Sequence, residues 1–140
     1  MIRRMTAADT DAVVKIWLEA SIIAHDFVPA EFWIQRVDQL RDCYLPAAKT
    51  YVCEEGGAVV GFLSLLDSTL AALFVLPESQ GGGIGSQLLE YVQDAGSELS
   101  LTVYKLNHHS IAFYERHGFS VQQEQLDPHT GQPELLMLWR

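Results

Sequence analysis

Apolar positions in the chain follow two rhythms. Val13, Ile16, Trp17 and Ala20 recur at helical spacing. They predict a helix that starts behind a Thr6 or Asp9 cap and runs to about Ser21. Ala24 to Pro29 breaks the pattern, because proline disfavours helical geometry in the residue before it. Phe32, Trp33, Val37 and Leu40 form the stripe of a second helix, Ala30 to Cys43, closed by Pro46. Strand-like runs follow at Thr50 to Glu55, Ala58 to Leu66 and Thr69 to Leu76, separated by turns at Gly56-Gly57 and Asp67-Ser68. The third run is apolar throughout, the pattern of a strand buried on both faces. A helix from Ile84 to Ala95 turns Leu88, Leu89 and Val92 inward. Leu99 to Tyr104 is a further strand. Asn107 or Ser110 caps a last helix, which Gly118 ends. Strands Phe119 to Leu126 and Glu134 to Trp139 close the chain around a turn-rich loop, Asp127 to Pro133. With a short strand over residues 1 to 5, the order is β-α-α-β-β-β-α-β-α-β-β. That is one α+β or mixed-sheet domain, 1–140, with helices on both faces.

Composition narrows the function. Hydrophobic residues make up 49% of the 140, enough for a core. Nine Lys plus Arg against 18 Asp plus Glu leave a formal charge of -9. Nucleic acid is therefore a poor partner, since phosphate neutralisation needs clustered cations. A cationic amine suits this balance, although net charge also serves simple solubility. Cys43 and Cys53 sit among apolar neighbours without zinc-ligand spacing, and read as buried free thiols with no metal. Asp9 and Asp11 interrupt the place where a signal peptide would be apolar, and no run reaches membrane-span length. The expectation is a cytoplasmic protein without a membrane.

The chemistry-bearing feature is Gln80-Gly81-Gly82-Gly83-Ile84-Gly85-Ser86. A strand stops, glycines turn, and a helix begins. Glycine lets successive N–H groups converge on one point, and a helix start adds unpaired donors and partial positive charge. Such a loop binds phosphate without Lys or Arg. Three consecutive glycines plus a fourth exceed the needs of one tight turn. Ser86-Gln87 after Gly85 excludes a P-loop, and Ser86 occupies the third glycine position of a dinucleotide fingerprint.

Gln80-Gly81-Gly82-Gly83-Ile84-Gly85 resembles the R/Q-x-x-G-x-G/A loop of the GNAT acetyltransferases. A second block, Asn107-x-x-Ser110-Ile111-Ala112-Phe113-Tyr114 through Gly118-Phe119, is similar to that family's N-x-x-A-x-x-F-Y-x-x-x-G-F segment. The Ile16 to Ser21 and His25 to Val28 stretches resemble its small bacterial YiaC/YjaB-type members. The resemblance implies the GNAT fold, a mixed, mostly antiparallel sheet of six to seven strands. It also implies acetyl-CoA as cosubstrate and acetyl transfer to a primary amine by direct attack on the thioester. That amine is a protein lysine, an N-terminus or a small amine. A non-catalytic acyl-CoA sensor is the alternative, against which Tyr114 counts.

By the same resemblance, backbone N–H groups from Gln80 to Ser86 bind the pyrophosphate, the backbone of Phe74 and Val75 pairs with the pantetheine arm, and Asn107 contacts the cofactor or caps its helix. Leu101 to Tyr104 splays from its neighbour to admit the arm. Tyr114 is the general acid that protonates the leaving thiolate, and a backbone N–H between Leu70 and Phe74 meets the oxyanion. The base is open between His25, Asp26, Glu31 and an ordered water. His25 is favoured by its ordinary pKa near neutrality. The substrate pocket is expected from residues 20 to 45 and 126 to 134, with Phe27, Trp33 and Tyr44 as lining or core. A monomer and a strand-edge dimer both suit the pattern.

Overall fold

The computed structural model describes residues 1–140. Seven strands form one sheet: β1 (Ile2–Arg4), β2 (Lys49–Glu55), β3 (Ala58–Leu66), β4 (Thr69–Val75), β5 (Leu99–Tyr104), β6 (Ser120–Leu126) and β7 (Pro133–Trp139). Their spatial order is β1-β2-β3-β4-β5-β7-β6. Every neighbouring pair is antiparallel except β4 and β5, which run parallel. The α+β class and the strand count are as the patterning predicts.

Alternation in the central strands makes two cores. Val52 and Phe62 join Val13, Ile16, Leu40 and Leu45 on one face, beneath α1 (Thr10–Ala24). Their neighbours Cys53 and Leu63 turn to the other face, against Leu88, Leu89, Leu101 and Met137. All four of these strand residues are fully buried. Two-faced burial thus belongs to β2 and β3 rather than to β4, where it was expected. In β4, Ala71 is exposed and Ala72 to Val75 are half-buried.

The second helical region also departs from the sequence expectation. In place of one helix from Ala30 to Cys43, α2 (Ala30–Ile34) ends at a turn. It is followed by α3 (Val37–Gln39), a π-helical stretch Leu40–Tyr44, and α4 (Leu45–Ala47). Pro46 lies inside the last turn instead of closing the helix. A proline ring collides with the carbonyl four residues back in a regular helix. Here Leu45 N–H reaches Leu40 O, five residues back, and the wider turn accommodates the ring. Cys43 projects from this stretch into solvent, whereas Cys53 is buried as expected.

α5 (Ile84–Ala95) follows the glycine loop, and α6 (His108–Arg116) follows Asn107. α5 approaches the sheet closely at Gly61. A Cβ there would sit 3.1 Å from Ile84 Cγ2 and 3.2 Å from Phe74 O. No helix is long and apolar enough to cross a membrane.

Candidate active site

The sheet opens between β4 and β5. Thr69 and Ser100 form their one register pair, and beyond it the strands separate. An antiparallel ladder alternates residues that exchange hydrogen bonds with residues whose N–H and C=O face away. Leu76 N–H donates to Val60 O at 2.8 Å. Counting back through the register, the backbones of Phe74 and Ala72 are committed to β3. Leu73 and Val75 therefore direct N–H and C=O into the opening, and Gln80 Nε2 already donates to Val75 O at 3.0 Å. This corrects the assignment of Phe74: its side chain lines the opening, but its backbone is taken. The register also skips Ala71, which puts a bulge in β4 where the opening begins.

Two cavities occupy the opening. The larger, about 480 Å³, is lined by Leu73, Phe74, Val75, Gln80, Gly81, Gly83 to Ser86, Asn107 and Tyr114, together with His109 and Arg116. Gly82 lines no part of it. Gly81 and Gly83 have φ of 86° and 85°, a region costly for side chains with a Cβ. Gly83 in this state caps α5 and starts it directly from the loop. The six N–H groups of Gly81 to Ser86 find no acceptor in the protein; the first helical bond runs from Gln87 N–H to Gly83 O. Six free donors at a helix start, beside an open strand edge, fit a pyrophosphate followed by an amide-bearing arm. Charge also comes from outside the loop: Arg116 on α6 lines the same wall, a cation that local sequence around the glycines does not disclose.

The smaller cavity, about 230 Å³, is lined by Trp17, His25, Trp33, residues 70–74 of β4, residues 102–104 of β5, Asn107, Ser110, Tyr114, Asp127 and Glu134. The two cavities share Leu73, Phe74, Asn107, Ser110 and Tyr114. Tyr114 is the one residue of that shared wall with an acidic proton. Burial pushes its phenol pKa up with no neighbouring charge contributing, so it holds its proton at neutral pH.

Asn107 caps α6 through Oδ1, which accepts from Ser110 N–H at 3.3 Å. Its Nδ2 lies 3.4 Å from His25 Nε2. With Oδ1 engaged, the amide donates to the ring, which places the ring proton on Nδ1. His25 Nδ1 is buried and without a partner. The ring packs among Phe27, Trp33, Phe74 and Tyr104 at centroid distances of 5.0–6.4 Å. Burial lowers its pKa to about 4. His25 is thus a wall of the smaller cavity and a weak base, with Nε2 engaged and Nδ1 enclosed. Asp26 and Glu31 are exposed and line neither cavity. Trp33 lines the smaller cavity; Phe27 packs behind it on Tyr104, and Tyr44 is half exposed elsewhere.

Asp127 and Glu134 fall inside the 126 to 134 segment expected to build the pocket, though neither was singled out within it, and Tyr104 was expected only in the strand that splays to admit the arm. Tyr104 Oη donates to Asp127 Oδ2 at 2.6 Å, and Asp127 Oδ1 accepts from His129 N–H at 2.8 Å. Burial raises the Asp127 pKa, but these bonds and Thr130 outweigh it and hold the carboxyl below its ordinary range. Burial and the carboxylate together push the Tyr104 phenol up, so it remains the donor.

A sheet parted between two parallel strands, with a glycine loop delivering free amides to the gap, defines an acyl-CoA-type transferase fold. The profile of the Acetyltransferase (GNAT) domain matches residues 46–121. This chain belongs to the GNAT family of acetyl-CoA-dependent N-acetyltransferases. Peptidyl-lysine N-acetyltransferase YiaC of Escherichia coli (strain K12) is 36% identical over 140 residues, covering 99% of this chain and 96% of the relative. Peptidyl-lysine N-acetyltransferase YjaB of the same organism is 31% identical, covering 97% and 92%. Both are named as enzymes rather than sensors. The solution structure of apo-form YjaB from Escherichia coli superposes with a TM-score of 0.86 at 30% identity, covering 99% of this chain and 96% of that one.

Proposed function

We propose that this acetyltransferase modifies lysine side chains of proteins in the cytoplasm, with Tyr114 as general acid. The carrying observation is that Tyr114 stands on the wall shared by the two cavities. One cavity presents free amides for the cosubstrate, and the other presents aromatic rings and carboxylates for the acceptor. Gly81 to Ser86 hold the pyrophosphate, and Leu73 and Val75 pair with the pantetheine arm. Leu73 N–H also faces the region where negative charge develops on the thioester oxygen; such a donor contributes about 3 kcal/mol. Tyr114 gives its proton to the departing sulfur. Water accepts the amine's proton, because His25 is poorly placed and too weak for that role. The relatives named for peptidyl-lysine support the acceptor class. So does a formal charge of -9, which steers cations inward.

Mass spectrometry of an N-terminally blocked lysine peptide incubated with acetyl-CoA tests this reading. One acetyl group should appear on the lysine. Transfer to free polyamines or N-termini, with none to lysine, would overturn the acceptor assignment.

A further inference from the structure

The acceptor cavity contains a charge that the fold leaves uncompensated. Asp127 is 9% exposed, and no Lys or Arg pairs with it in any ion pair of the structure. Its hydrogen-bond partners are neutral, the Tyr104 and Thr130 hydroxyls and a backbone N–H, and the side chain near it that can carry positive charge is the His129 imidazole of the same loop. Buried carboxylates are ordinarily paired with a cation, because losing water without a counter-charge is costly. A second carboxylate lines the same cavity. Glu134 faces Tyr104 across the β5–β7 ladder, is half-buried, and accepts from Gln125 Nε2 at 2.6 Å.

The rest of the cavity points to a ligand of the same kind. Trp17 and Trp33 meet edge to face at 5.7 Å, and Phe74 and Tyr104 complete an aromatic lining. Such rings pack on an alkyl stem and attract a cation.

We infer that Asp127, with Glu134 on the same cavity lining, forms the cation-recognition subsite of the acceptor cavity, so that the enzyme selects acceptors arriving as alkylammonium ions. This rests on the reading of that cavity as the acceptor's. Tyr104 is a positioning residue: its hydroxyl fixes the carboxylate without itself meeting the acceptor's charge. The subsite acts in capture, so its effect falls on acceptor affinity and KM more than on kcat.

The test uses the complex of the full chain with coenzyme A, in which no transfer occurs. Calorimetry compares a blocked lysine peptide with its norleucine counterpart, which keeps the stem and lacks the charge. Wild type should bind the lysine peptide about tenfold or more tightly than the norleucine peptide. In Asp127→Asn that preference should collapse to within about threefold, while coenzyme A affinity stays the same. Glu134→Gln should lose about threefold of it. An unchanged preference, or equal weakening of both peptides, would overturn the inference, since a purely structural role affects both alike. Should Asp127→Asn fail to fold, Tyr104→Phe keeps the charge and removes the 2.6 Å bond. Its preference should fall with norleucine binding intact, and an unaltered preference would again be contrary. If wild type acetylates no lysine peptide, the lysine assignment fails by itself. The subsite is then tested with the amine that is acetylated, against its des-amino analogue.

Discussion

The two cavities that meet at Tyr114 are built from different materials. The side proposed for the cosubstrate is mostly backbone: free N–H groups of one loop, a helix start and an unpaired strand edge. The side proposed for the acceptor is mostly side chain, with Trp17 and Trp33 from α1 and α2, Tyr104 from β5, Asp127 from a loop and Glu134 from β7. Backbone amides recognise a pyrophosphate whatever the side chains nearby, so that cavity needs only glycines in a row. A cavity of side chains is specific to its ligand, and its residues are collected from across the fold. The first is expected to tolerate side-chain change and to respond to backbone strain; the second should do the reverse.

The largest effect should come from the wall they share. Tyr114→Phe is expected to lower kcat by about 100-fold or more, with acetyl-CoA affinity nearly unchanged by calorimetry. Equal loss in both quantities would make Tyr114 structural instead. Next in size is strain in the loop. Gly83 at φ 85° has open space around its absent Cβ, so Gly83→Ala alters conformation without collision. The strain, of order 1–2 kcal/mol, should weaken acetyl-CoA about tenfold while leaving acceptor KM unchanged.

Much of this contrast was legible before folding. The glycine loop and the Asn107 to Phe119 block are contiguous, and contiguous residues keep their spacing in any fold. Hairpin turns at Gly56-Gly57 and the inward Leu88, Leu89 and Val92 were readable for the same reason. Of the smaller cavity, the segments 20 to 45 and 126 to 134 were expected and supply His25, Trp33, Asp127 and Glu134, whereas Trp17 and Tyr104 join them only when β5, β7 and the helices pack. Asp127 read as a turn former, which it also is, accepting from His129 N–H. Phe74 was expected to offer a free backbone as Val75 does; hydrogen-bond parity in β4 is set by its pairing with β3, not by β4's own sequence. The two-faced burial expected of β4 failed because apolar side chains there line an opening. Apolarity alone does not separate a core from a cavity.

Smaller effects sharpen the acceptor side. His25 is depressed to about 4 by burial, below its ordinary 6.5. The unfolded chain therefore binds more protons between those values, and stability falls as pH drops from about 6.5 towards 4. His25→Phe should remove that slope, worth on the order of 2 kcal/mol, as read from thermal melts at pH 7 and pH 4.5. A slope identical to wild type would show that His25 is not buried in its neutral form. The smallest change concerns the lone charged contribution to the backbone cavity. Arg116→Ala should raise acetyl-CoA KM by about threefold at low salt and less at high salt, as expected for an exposed cation.

Backbone amide NMR shifts of the full chain test the division between the cavities most directly. Titration with coenzyme A should move the amides of Gly81 to Ser86, Leu73 and Val75, and leave Asp127 to Glu134 in place. Subsequent addition of a lysine peptide should move residues 127–134 and Tyr104, with Asn107 and Tyr114 responding to both ligands. Coenzyme A shifts centred on residues 127–134, with the Gly81 to Ser86 amides unmoved, would contradict the account.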